Sequence, residues 1–217
     1  MASYDLFLPY VLPDAPGCPE IAATQAIRSA AIDFCERSLI LQRDHDPVTV
    51  VKNVIDYDFD PPITGTLVTK LMRAWFERDE LEVVAPDMVS DPTVYNATFS
   101  NANPMTGKTK QIIQKDERTF SVFPKPDATY ANVLTMRVAL KPTRTSTTCE
   151  DVLFEDYAEF IAHGAKARLC MTPGKSYTNP EVAALGNVMF MQGINRALQR
   201  AVRGHTRSSL SVRMRPL

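Results

Sequence analysis

The sequence predicts an α+β fold: a helical bundle built from both chain ends, an inserted antiparallel β-meander or β-domain, and an extended basic C-terminal arm. Three observations predict it. Apolar residues recur at helical spacing over 19–42, 151–171 and 180–203, while short β-rich runs punctuated by Pro, Gly, Asn and Asp fill 48–140. Beyond Gly204 the stretch HTRSSLSVRMRPL holds too few apolar residues to build a core. The implied division is 1–46 with 142–204 as the helical core, 47–141 as the β-domain and 205–217 as the arm. A chain of 217 residues suffices for one good core, or one core with a smaller attached subdomain.

Taken in order, the segment FLPYVLPDAPG reads as extended and proline-broken. Pro19, with Glu20 in the first turn, opens a helix whose apolar face is Ala23, Ile27, Ala30, Phe34, Ser38 and Leu41. Asp46-Pro47 is expected to end it, because the residue before proline disfavours helix. The runs VTVVKNVIDY, TLVTKLMRAWF, LEVV, KQIIQ, TFSVF and VLTMRVAL follow as strands, with turns at 78–80 and 115–118. Trp75, the sole tryptophan, is expected to anchor the sheet, and 88–103 reads as loop or a short helical turn. A polar connector over 142–150 leads to a second long helix with Leu153, Tyr157, Phe160, Ile161, Gly164 and Leu169 on one side. Met171-Thr172-Pro173-Gly174 stops it; Asn179 then caps, and Pro180 starts, a helix reaching about Arg203 with Gly204 behind. Gly164, Gly186 and Gly193 inside helices each cost about 1 kcal/mol relative to Ala, which predicts close helix–helix crossings there.

Charge is strongly segregated. The chain totals −1, yet 161–217 hold nine Lys or Arg against Glu181 alone, a net of +8 that leaves −9 for the first 160 residues. After Glu181 there is no acid and no lysine, but six arginines. Arg196, Arg200, Arg203 and Arg207 are spaced four, three and four residues apart, which places them in one line along a helix. Phe190, Ile194, Ala197, Leu198 and Ala201 form the opposite, apolar line. Arginine suits planar, bidentate contact with carboxylate or phosphate. Such polarity favours head-to-tail association or docking on an acidic partner. Asp56, Asp58 and Asp60 alternate, so they share one face of a strand and make a candidate acidic docking edge.

Motifs for catalysis are missing. Gly174-Lys175-Ser176 and Gly107-Lys108-Thr109 lack the glycine that a phosphate loop needs five residues earlier, where Leu169 and Ala102 stand. His45, His163 and His205 lie far apart, with no second ligand at metal spacing, and no nucleophile elbow accompanies them. Cys18, Cys35, Cys149 and Cys170 have no paired spacing and read as free thiols of a reducing cytosol. No cofactor is expected. No apolar run approaches the ~20 residues of a membrane span, and the N-terminal stretch does not read as a signal peptide.

The chain resembles the head-to-tail adaptor (connector) proteins of tailed bacteriophages, the short-tailed type in particular. The segments that carry the likeness are YDLFLPYVLPDAPGCPEIAATQAIRSAAIDFCERS, LMRAWFERDELEVVAPDMVS, TMRVALKPTRTST, the helix–turn–helix FEDYAEFIAHGAKARLCMTPGKSYTNPEVAALGNVMFMQGINRAL, and the closing SVRMRPL. That resemblance implies a non-enzymatic ring, usually of twelve copies, bound beneath the portal protein at the head–tail junction of a virion after assembly in the host cytoplasm. The ring would extend the channel for genomic DNA and dock the next tail or nozzle protein. It also implies that Arg203, Arg207, Arg213 and Arg215 form a portal-docking arm, with Arg196 and Arg200 facing the channel or a neighbouring subunit. Two other classes compete. A nucleic-acid-binding protein would use the arginine row on phosphates, although no aromatic residue follows Phe190 and the pI is near 6.3. A small cytosolic hydrolase would assemble Ser, His and Asp or Glu from distant positions around His163 or His45.

Overall fold

The computed structural model describes residues 1–85 and 106–204. It is an α+β fold in two compact units, one formed by Met1–Ile40 with the chain from Arg144 onward, the other by Leu41–Thr143. The expected loop over 88–103 and the arm over 205–217 lie outside the described residues.

The helical unit begins with strand β1 (Ala2–Ser3) and a series of short turns: a 3-10 turn Tyr4–Phe7, helix α1 (Leu8–Val11) and a 3-10 turn Leu12–Asp14. This corrects the expectation of an extended lead. Pro9 and Pro13 each fall in the first turn of a short helical piece, where the missing N–H would have had no partner anyway. Tyr4, Phe7 and Val11 are thereby buried on one side. Helix α2 (Glu20–Ser38) follows with Pro19 as its N-cap, and it buries Ala23, Ile27, Ala30 and Phe34 as the spacing predicts. It stops before Asp46-Pro47, however. Leu39 adopts a left-handed conformation (φ 51°) and its N–H bonds the Cys35 carbonyl at 3.0 Å, a helix-ending geometry that usually takes glycine.

The β-unit therefore starts at Leu41, not at residue 47, and ends at Thr143. Its strands are β2 (Gln42–Val50), β3 (Asp56–Asp58), β4 (Thr66–Phe76), β5 (Asp79–Glu80), β6 (Glu82–Val84), β7 (Thr106–Gly107), β8 (Gln111–Gln114), β9 (Thr119–Phe123), β10 (Lys125–Pro126) and β11 (Tyr130–Pro142). They form two four-stranded sheets, ordered β2-β11-β4-β5 and β3-β9-β8-β6, with a short parallel β10-β7 pair. Pairing in the four-stranded sheets is antiparallel except for β6 with β8, and the order is not that of a sequential meander. Pro47 sits inside β2 because β2 is an edge strand and its pairing with β11 shifts register there. The two sheets are tied by Gln114, whose amide oxygen accepts from Leu71 N at 2.7 Å and whose nitrogen donates to Val68 O at 3.5 Å. The Phe59 and Phe120 rings pack at a tilt, 4.8 Å apart, beside buried His45, which accepts from Asp60 N at Nε2 (3.0 Å) and faces the Asp46 carbonyl with Nδ1. Trp75 is only half-buried opposite Thr135; the inward anchor is Phe76, edge-on to Tyr130 at 5.1 Å.

After β12 (Thr148–Cys149), which pairs with β1, come α3 (Asp151–Cys170) and α4 (Pro180–Arg203). The Asn179 side chain caps α4 by accepting from Glu181 N and Val182 N. The three helical glycines are all at the α3–α4 crossing: a Cβ on Gly164 or Gly193 would strike the Phe190 or Phe160 ring. At Gly186 it would come within 2.8 Å of the His163 carbonyl, so the two backbones touch. Phe34 of α2 closes the core against Tyr157 and Phe190.

Candidate interaction site

The arginine row sits on α4. The buried side of that helix is Ala183, Gly186, Phe190, Gly193, Ile194 and Ala197, while Leu198, expected on the same line, is 39% exposed. Arg196 and Arg203 are exposed. Arg200 is different: its guanidinium folds back onto α3, donating to Asp156 at 2.7 Å and to the Tyr157 hydroxyl at 3.4 Å. Those contacts hold Arg200 half-buried as a tie between α3 and α4. Arg207, Arg213 and Arg215 lie outside the described residues.

Arg196 lines a cavity of about 280 Å³ whose other walls include Tyr10, Phe154, Glu155, Glu159 and Phe160. A second cavity of about 210 Å³ adjoins it, sharing Tyr10 and Glu159 and adding Ala162, His163 and Lys166. Together they make a groove along α3, bordered by Tyr10 of α1 and by Arg196 of α4, with Glu155 and Glu159 on successive turns of α3. Neither glutamate forms a salt bridge among the described residues, whereas Lys166 at the far wall is paired with Asp14 at 2.6 Å. Burial, helped by the Lys166 charge, pushes the His163 imidazole below its ordinary value, so it is neutral at pH 7. The acids of FEDYAEF were legible as charges, but only the fold shows that they face a groove with aromatic walls.

In the β-unit, Asp56, Asp58 and Asp60 are all exposed, with Phe59 turned inward, and β3 is an edge strand. Asp56 is occupied: partial burial alone would raise its carboxyl, but hydrogen bonds from Lys115 (2.6 Å) and Ser121 (2.6 Å) and the Lys115 charge outweigh it and hold it below the usual carboxylate range. Exposed Asp56 and Asp58 on edge strand β3 also oppose pairing with another sheet, while Asp60 lies beyond the strand.

Among the described residues, no array for catalysis gathers around His45 or His163. The buried thiols are poor nucleophiles: burial pushes Cys149 up to about 12 and raises Cys35 and Cys170 as well. Among the described residues no three His, Cys, Asp or Glu side chains cluster as metal ligands, and no described helix is long and apolar enough to cross a membrane. No protein-family model matches the chain, and a search of curated proteins finds no match either.

Proposed function

We propose that this chain is a structural adaptor of a tailed-phage virion, a ring-forming subunit that docks on the portal protein, extends the path of genomic DNA and receives the next tail component. The observation that carries the reading is the C-terminal half of α4: exposed Arg196 and Arg203, exposed Val202, and a continuation to Leu217 that holds basic residues and no acid. By sequence that continuation is basic and poor in apolar residues, a composition suited to docking on an acidic partner. Pairing of Arg200 with Asp156 takes one cation out of the phosphate-binding row that a nucleic-acid regulator would need. The resemblance in the α3–turn–α4 segment supports the same class.

Deleting 205–217 is expected to leave a folded protein, judged by an unchanged helical circular dichroism spectrum and melt, that no longer co-sediments with portal rings. Undiminished co-sedimentation of the truncated chain would overturn the arm's assigned role.

A further inference from the structure

We infer that the outer face of the β2-β11-β4-β5 sheet docks an acidic segment of a partner protein, which sets a carboxylate between Arg73 and Arg137 and an apolar side chain against Trp75. Ala74, Phe76, Leu134 and Met136 are buried on the inner face. Alternation along the strands therefore places Arg73 and Trp75 of β4, with Thr135 and Arg137 of β11, on the outer face. Arg73 stands directly opposite Arg137, and Trp75 opposite Thr135. Like charges in such a cross-strand pair, about 5 Å apart, oppose the pairing of their strands. Little in the chain relieves them. Arg73 is exposed and forms no salt bridge among the described residues, and Arg137 meets exposed Asp44 only at 4.0 Å. The register shifts between Arg137 and Val138, which leaves Met72 as an extra residue on β4. A bulge at that point re-aims the adjoining side chains, Arg73 among them.

Tryptophan and arginine dominate the energetics of protein–protein contacts, and two neighbouring guanidiniums offer the planar donors that a carboxylate takes. A nucleic-acid strand fits the same face less well. Asp44 on β2 and Glu80 on β5, opposite Trp75, border the arginines on both sides. Residues 41–143 also carry fourteen acids against twelve Lys or Arg. That excess repels a long polyanion, whereas a short acidic segment meets the two guanidiniums at close range. Within the adaptor reading, on which the partner's identity rests, this face receives the next tail component, and the C-terminal arm takes no part.

Trp75 is the only tryptophan, so its fluorescence in the full-length protein reports on this face alone. Titration with the acetylated peptide Glu-Glu-Leu-Glu-Glu is expected to shift that emission to saturation, and the lysine counterpart Lys-Lys-Leu-Lys-Lys to leave it unchanged. Arg73→Glu or Arg137→Glu is expected to weaken the glutamate peptide by about tenfold or more, with circular dichroism showing that each variant folds. Lys52→Glu makes the same change of net charge on an exposed loop and is expected to bind as wild type. No saturable change at the highest soluble peptide concentration, or an equal loss in Lys52→Glu, would overturn the proposal. Tighter binding of a dT oligonucleotide of equal charge would assign the face to nucleic acid and overturn it too. A protein that binds the glutamate peptide as expected yet ignores portal rings would sink the adaptor reading and leave the acidic-segment site standing.

Discussion

Lys166 and Arg200 are both paired cations on the α3–α4 pair, yet they respond to opposite physics. The Lys166 side chain is 11% exposed and its ammonium meets Asp14 at 2.6 Å, whereas Arg200 and Asp156 are 35% and 39% exposed. Solvent screens the second pair, so a double-mutant cycle on Arg200 and Asp156 should give no more than about 1 kcal/mol. Removing Asp14 strands a buried charge. Asp14→Ala is expected to destabilise by about 2–3 kcal/mol, while Lys166→Met, which keeps the apolar stem and deletes the charge, stays within about 1 kcal/mol of wild type. Urea unfolding of the two variants measures both, and equal losses would refute the account. At this scale the sequence showed which residues were charged but not which were spent inside the fold. Arg200 lies in a regular row, and its inward turn depends on Asp156 and Tyr157, which are distant in the chain. Asp14 was likewise invisible as a partner, because its position depends on helical turns that the prolines appeared to forbid.

Among elements, α4 was the most legible, since capping, a first-turn proline and a terminal glycine agree on its limits. Its glycines also announced the crossing with α3. That gives a sharp contrast between two substitutions that propensity alone would treat alike. Gly186→Ala gains about 1 kcal/mol of intrinsic helix preference but drives a methyl against the His163 carbonyl, a backbone atom that cannot rotate away. Overpacking of this kind costs about 1–3 kcal/mol or more, so the net expected effect is a loss of stability with a lowered melting temperature. Gly107→Ala, where nothing lies within 4 Å, is expected to leave the melt unchanged. The end of α2 was hidden for a physical reason: it stops at Leu39 in a left-handed conformation with no glycine or proline to mark it. The apolar pattern then runs on through Leu41, which is buried in the β-unit and not on the helix.

For the whole molecule, the decisive geometry is that of the two junctions. A β-unit inserted between α2 and α3 can leave the helical core undisturbed only if its ends lie close together, and the strand pairing brings this about. β2 and β11 are antiparallel neighbours, Gln42 faces Ala139, and Leu140 N bonds the Leu41 carbonyl at 2.8 Å. Both crossings between units therefore leave from the same end of one strand pair. The sequence marked the insertion by its change of periodicity, but it could not pair the first strand with the last, since that contact spans nearly the whole unit. Each unit has its own buried core: Ile27, Phe34, Leu153, Ile161 and Phe190 in one, Leu71, Ile112, Phe120, Leu134 and Leu140 in the other. Units so built are expected to fold separately. Replacing 41–143 by a linker of about six Gly and Ser residues, which can span up to about 20 Å, should thus satisfy the junction. The shortened chain is expected to keep the helical circular dichroism of α2, α3 and α4 and to melt in a single cooperative transition. A chain that loses that helicity, or melts without a cooperative step, would show that the helical core depends on the inserted unit for its fold.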